Sequence, residues 1–307
     1  VKGFDLVHIQ TPFVAHYAGV KMARRLGVPV VESYHTYFEH YLEKYIPLLP
    51  ASWLRLAARR FSAAQCNSVN ALVVPSRAML SVLQSYGVNT PAAIIPTGIE
   101  FARFNGGDGS RFRSLYDIPT NRPVLLHVGR LAFEKNIDFL LRMLVRVRET
   151  IPDVLMVIAG EGPARRALES LSAELGLTAH CRFVGYLERE SSLVDCYCAG
   201  DVFVFASRTE TQGLVLLEAM ALGTPVVSTA VMGTREVLEN GHGCLVAEED
   251  EAEFASKAVC LLADSSLRAT LGDQARARAS AWSVPALAGR MIELYRNLIH
   301  TGTAKPS

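Results

Sequence analysis

Short runs of aliphatic and β-branched residues alternate with longer stretches of helical spacing along nearly the whole chain. This alternation confines the fold to an α/β protein with parallel sheets, because strands joined by helical crossovers pair in parallel. A first series predicts strands at 5–9, 28–33, 71–74 and 93–95, with helices at 15–26, 53–66 and 77–86. A second predicts strands at 124–128, 154–159, 182–184, 202–205, 225–228 and 244–246, with helices between them, and 251–299 reads as almost wholly helical. Between the series, Asn105-Gly106-Gly107-Asp108-Gly109-Ser110 has the composition of an interdomain linker. The expected domains are therefore 1–110 and 111–282, followed by a closing helical segment at 283–307.

Composition narrows the function classes. The chain has 307 residues, 31 Lys+Arg against 30 Asp+Glu and 50% hydrophobic residues, enough for about two domains at ~150 residues each. A net charge of +1 excludes a strongly basic nucleic-acid binder. The longest apolar runs fall well short of the ~20 residues a membrane-crossing helix needs. Cys66, Cys181, Cys196, Cys198, Cys244 and Cys260 form no C-x-x-C pair and no zinc spacing. They read as buried free thiols in a cytoplasmic protein. Residues 1–5 lack the basic-then-apolar order of a secretory leader, and a valine start on the approach to a strand reads as that of a fragment.

The densest chemical signal is Glu210-Thr211-Gln212-Gly213-Leu214-Val215-Leu216-Leu217-Glu218, entered from the strand at 202–205. A loop acid at Glu210 and a second acid at Glu218, about two turns into the helix that starts near Gly213, can hold two points of one ligand. The helix start offers backbone N–H groups and the positive end of the dipole to a phosphate. The bare spacing favours a loop acid with an unrelated exposed helix glutamate; the strand before it, Gly213 at the helix entry and Gly223-Thr224-Pro225-Val226-Val227 after it shift the balance to a shared ligand. Gly160-x-Gly162 lacks the third glycine of a dinucleotide fingerprint, since Arg165 stands there, and reads as a turn at a helix start.

Followed by Ala219-Met220-Ala221-Leu222-Gly223-Thr224-Pro225-Val226-Val227, that segment resembles the donor signature of the retaining, nucleotide-sugar-dependent glycosyltransferases with the E-x7-E motif. Gly129-Arg130-Leu131-Ala132-Phe133-Glu134-Lys135-Asn136 resembles their basic donor motif. Gly160-Glu161-Gly162-Pro163, Phe183-Val184-Gly185-Tyr186, Pro75-Ser76 and Ile95-Pro96-Thr97-Gly98-Ile99 match in family order. The resemblance implies a GT-B architecture: two doubly wound, Rossmann-like domains facing a cleft, with the last helix returning to the first domain. It implies that Glu218 holds the ribose, that Glu210 contacts the donor sugar, and that backbone around Gln212, Gly213 and Leu214 meets the phosphates. It also implies that a loop at Val184 to Tyr186 holds the base. Gly129 opens the segment from which Arg130 and Lys135 can converge on the diphosphate, where charge grows as the glycosidic bond breaks. No coenzyme and no metal is expected, since no carboxylate pair stands at metal-ligand spacing.

In the first half, His35 lies just past a strand end, where open α/β sheets place ligands. A lone histidine is more often structural, but the matching family position favours a catalytic role beside Glu210. The aromatic stretch from Tyr34 to Tyr41 and Tyr45-Ile46-Pro47 resembles the diacylglycerol glucosyltransferase branch. On the helix at 53–66, Trp53, Leu54, Ala57, Phe61 and Ala64 share a face opposite Arg55 and Arg59. That pattern suits an interfacial helix and core packing with a solvated basic face equally. The resemblance thus implies a hexosyltransferase, moving glucose from UDP-glucose to a lipid hydroxyl such as diacylglycerol with retention, peripheral on the inner face of the membrane. Two alternatives stand: a GDP-mannose-dependent mannosyltransferase, and a catalytically silent nucleotide-sugar-binding protein. Family members begin with a glycine-rich loop and further β/α units absent here, so the first domain is expected to be truncated and the chain to transfer poorly.

Overall fold

A computed structural model describes residues 3–35, 37, 51–104, 106–188 and 191–301. In chain order the elements are β1 (Val7–Ile9), α1 (Val14–Leu26), β2 (Val30–Ser33), α2 (Ala51–Cys66), β3 (Ala71–Val74), α3 (Arg77–Ser85) and β4 (Ala92–Ile94). Then come α4 (Gly109–Leu115), β5 (Val124–Val128), α5 (Ile137–Thr150), β6 (Leu155–Ala159), α6 (Arg165–Glu174), β7 (Cys181–Gly185), α7 (Ser192–Ala199) and β8 (Val202–Phe205). The last are α8 (Leu214–Ala221), β9 (Val226–Ser228), α9 (Thr234–Val237), β10 (Cys244–Val246), α10 (Glu251–Ala263), α11 (Ser265–Ser280) and α12 (Val284–Thr301). Local chemistry sets several ends. Gly27, in the left-handed region at φ 68°, closes α1, and the Ser76 hydroxyl accepts the Met79 N–H at 3.2 Å to start α3.

The described residues divide into two compact units, one running to Gly98 and resuming at Val284, the other Ile99–Ser283. In the first, parallel strands lie in the order β1-β2-β3-β4. Met291, Leu294, Tyr295 and Leu298 of α12 pack on one face of that sheet, against Val31, Ala71, Val73 and Ile95. The second holds a parallel sheet in the order β10-β9-β8-β5-β6-β7, the doubly wound arrangement. Its inner strands β5, β6, β8 and β9 are buried on both faces, as in parallel sheets under two helix layers. Leu126, Leu155, Val157, Phe203 and Phe205 face one core, whereas Leu125, Met156, Ile158, Val202 and Val204 face the other.

Two expectations change. The crossing between units falls at Gly98 and Ile99, ahead of residue 110, and the glycine-rich segment belongs to the second unit. A Cβ on Gly109 would lie 2.3 Å from the Cys198 carbonyl oxygen, so glycine there permits close packing on α7. The Asp108 backbone N–H donates to Asp195 Oδ1 at 2.7 Å, and its carboxylate accepts the Arg111 N–H at 3.0 Å. On α2 the buried stripe is Leu54, Ala58, Ser62, Gln65 and Cys66, while Trp53 is 72% exposed and Leu56 and Ala57 also face outward. The aromatic segment from Phe38 through Pro47 lies outside the described residues.

Candidate active site

In a doubly wound sheet the ligand crevice opens beyond the carboxyl ends of the strands, where crossovers leave in opposite directions. Here that point lies between β5 and β8. The loop after β5 carries Gly129, Arg130 and Lys135; the loop after β8 carries Glu210, Gln212 and Gly213. Glycines bring the neighbouring loops together. A Cβ on Gly160 would lie 1.9 Å from the Gly129 carbonyl oxygen, and one on Gly162 would lie 2.3 Å from that of Leu131. The Gly160 N–H donates to the Gly185 carbonyl at 2.8 Å, tying the ends of β6 and β7.

These loops frame a cavity of about 310 Å³ lined by Gly129, Arg130, Glu161, Tyr186, Leu187 and Glu218, among others. Glu218, on α8, is 8% exposed. The fully buried Tyr197 of α7 donates its hydroxyl to Glu218 Oε2 at 2.7 Å. A carboxylate held this way reaches a ligand in a set orientation. Sequence reasoning missed Tyr197: in Cys196-Tyr197-Cys198 it reads as core.

Lys135 and Glu210 form an ion pair, both side chains more than four-fifths buried. The lysine therefore stands over the Glu210 loop, while Arg130 faces the cavity of Glu218, so the two cations expected at one diphosphate have different neighbours. The 210–213 loop is fastened from behind: the Gly233 N–H donates to the Glu210 carbonyl at 2.9 Å, and a Cβ on Gly233 would lie 2.0 Å from the Thr211 oxygen. Gln212 is buried, and Gly213 enters α8 at φ 88° with no side chain capping the helix.

Around the same sheet edge, Ser207 Oγ, Thr209 Oγ1, Thr229 Oγ1 and His127 Nε2 are buried without a hydrogen-bond partner. Such groups are unusual in a folded interior and mark unused capacity for polar contacts. His127, at the end of β5, donates from Nδ1 to the Val204 carbonyl at 3.1 Å. Burial pushes its pKa down to about 4 despite that bond, and the charge of Lys135 adds a little to the fall. The sequence had given His127 no role, since it sits within a Val-Leu-Leu-His-Val strand.

The side chains of Val184 and Leu214 pack on the core that contains Tyr197. His35 lies on the first unit, at the rim of a separate cavity of about 400 Å³ with Gln10, Ser33 and Thr97 on one side and Leu287, Met291 and Ile292 of α12 on another. Desolvation holds the His35 pKa below the usual imidazole value. Beside it, His8 bonds Tyr295 Oη at 2.6 Å through Nδ1 and Ser33 Oγ at 2.9 Å through Nε2. Burial, then the charge of His35, lowers the His8 pKa to about 4.

The structure thus places a fastened loop acid and a buried helix acid at the switch point of a doubly wound sheet, where such folds bind ligands. Residues 110–278 match the family described as Glycosyl transferases group 1, and residues 1–103 match Glycosyltransferase Family 4. The chain belongs to this glycosyltransferase family and has its GT-B fold. It is 33% identical over 232 residues to the alpha-monoglucosyldiacylglycerol synthase of Streptococcus pneumoniae, covering 73% of this chain and 51% of that protein. It is 31% identical to the sulfoquinovosyl transferase SQD2 of Arabidopsis thaliana, covering 89% and 52%. The chain thus spans about half the length of these curated relatives. Among solved structures, sucrose-phosphate synthase from Thermosynechococcus elongatus superposes with a TM-score of 0.80 at 25% identity, covering 97% of this chain and 75% of that one. Anabaena HepE, in complex with UDP-glucose, superposes at 0.81 with 21% identity, covering 96% and 79%.

Proposed function

We propose that this chain belongs to a hexosyltransferase that moves glucose from UDP-glucose to a lipid hydroxyl such as diacylglycerol, with retention of anomeric configuration. The observation that carries the reading is Glu218, held by Tyr197 in the cavity that Arg130 lines. The carboxylate grips the ribose hydroxyls and the uracil lies against Tyr186. The diphosphate meets Arg130, Lys135 and the uncapped start of α8. These groups stabilise the departing nucleoside diphosphate as the bond breaks, so the reaction needs no metal ion held by this chain. Glu210 orients the sugar and shares Lys135 with the phosphate. On the first unit, the cavity beside His35 takes the acceptor: its polar side meets the hydroxyl, and its α12 side meets apolar chain.

The lipid acceptor is supported by the relative named as a synthase of alpha-monoglucosyldiacylglycerol, and glycosyl transfer by the relative named as a sulfoquinovosyl transferase. The outward-facing Trp53 and Leu56, flanked by Arg55, Arg59 and Arg60, supply the amphipathic surface of peripheral membrane contact. Among the described residues no helix is long and apolar enough to cross a membrane. Calorimetric titration with UDP and GDP, followed by transfer from radiolabelled UDP-glucose to dispersed diacylglycerol, tests the reading. Preferred UDP binding and an α-linked glucolipid support it. Preferred GDP binding with mannosyl transfer would replace it by the mannosyltransferase alternative.

A further inference from the structure

The first unit has another cavity, of about 610 Å³, in the groove between α1 and the end of α2. Its lining includes Lys21, Arg24 and Arg25 from α1, and Gln65 and Ser68 from the other side. Positions 21, 24 and 25 fall on one side of the helix by the i, i+3, i+4 rule. None of the three cations has an ion-pair or hydrogen-bond partner among the described residues. Among the described residues, the groove lining includes no acid. Glu32 lies behind it, fully buried and committed to His16 Nδ1 at 3.0 Å. His16 Nε2 in turn meets Ser68 Oγ at 3.0 Å, so the groove floor is a fixed polar chain.

Arg24 and Arg25 lie in the last turn of α1. The helix dipole offers them only about half an elementary charge, so three like charges remain largely uncompensated. Gln65 supplies a second, independent feature: it is 5% exposed, and its amide Nε2 is buried with no hydrogen-bond partner. Uncompensated guanidinium groups beside a leftover neutral donor match the oxygens of a phosphate, which arginine binds in bidentate fashion. The cavity is larger than a bare phosphate needs, and Val20 and Ala64 give it an apolar stretch. We propose that this groove is a binding site for a phosphate ester, carried on a different unit from Arg130 and Lys135.

The probe is glycerol 3-phosphate, titrated calorimetrically into the chain with UDP saturating the donor site. Two variants are compared with wild type: K21Q/R24Q/R25Q, which removes the charge, and K21R/R24K/R25K, which keeps it. All three positions are exposed, so both variants fold, and UDP affinity serves as the check. The proposal expects binding to weaken at least tenfold in the first variant and by less than threefold in the second, with Gln65→Leu several-fold weaker. Flotation with phosphatidylglycerol and phosphatidylcholine vesicles then identifies the source. Charge-dependent capture by phosphatidylglycerol, competed by glycerol 3-phosphate, assigns a lipid headgroup; binding of the soluble ester without capture assigns a soluble phosphate ester. Absence of wild-type binding to either, or equal binding by K21Q/R24Q/R25Q, overturns the proposal.

Discussion

Replacing Tyr197 by phenylalanine removes one oxygen atom and leaves the ring in its packing. The lost hydroxyl donates to Glu218 Oε2 at 2.7 Å, with Tyr197 wholly buried and Glu218 8% exposed. A hydrogen bond to a carboxylate in such a setting contributes about 1.5–3 kcal/mol. That bond exists before any ligand arrives, so its loss falls chiefly on the stability of the second unit. UDP affinity loses only the part needed to re-aim Glu218, which should stay below about 1.4 kcal/mol, or tenfold. Urea denaturation followed by tryptophan fluorescence measures the first quantity. Trp282 packs on the core that contains Tyr197, whereas Trp53, the other of the two tryptophans, is already exposed. Calorimetry measures the second. An unchanged unfolding midpoint would refute the reasoning. So would a larger affinity loss than Glu218→Ala produces, because Tyr197 would then itself touch the ligand.

Three further outcomes follow from the geometry. Gly160→Ala places a Cβ 1.9 Å from the Gly129 oxygen at φ 137°, and strain plus overpacking should destabilise by about 2–6 kcal/mol, read as a fall in Tm. His127 has a folded-state pKa of about 4 against an ordinary 6.5, so between these values the unfolded chain binds the extra proton. Stability from this residue is complete above pH 6.5 and falls as pH drops toward 4, by about 3 kcal/mol in all. Denaturation at several pH values should show a shallower slope in His127→Phe than in wild type, and equal slopes would sink the assignment. Finally, if Arg130, Lys135 and the start of α8 carry the phosphate charge as proposed, transfer should persist in excess EDTA. Activity lost to EDTA and restored by magnesium or manganese would contradict the cationic clamp.

Much of the scaffold was legible because its signals are local. β3, β5, β8 and β10 occupy the predicted residues, each being a short apolar run between polar turns, and Gly27 ends α1 where a left-handed cap is needed. The acids at 210 and 218 were found by their place around one helix start. What stayed hidden depends on packing between distant segments. The Tyr197–Glu218 bond joins residues 21 apart, and the Lys135–Glu210 pair joins residues 75 apart; nothing in either neighbourhood announces its partner. Gly107 and Gly109 have the composition of a linker, yet a Cβ on either would strike α7. Trp53 looked like one member of an apolar helical face, but the buried stripe of α2 passes beside it through Leu54 and Ala58.

The central claim is that Glu218 and Glu210 hold different ends of one nucleotide sugar, Glu218 the nucleotide and Glu210 the sugar. Calorimetric titration of UDP into wild type, Glu218→Ala and Glu210→Ala tests it most directly. Losing a carboxylate that accepts ligand hydrogen bonds should cost about 1.5–3 kcal/mol, roughly 10- to 150-fold. That loss is expected for UDP in Glu218→Ala, with Glu210→Ala much nearer to wild type for UDP and impaired toward UDP-glucose. Equal UDP affinity in wild type and Glu218→Ala would contradict it.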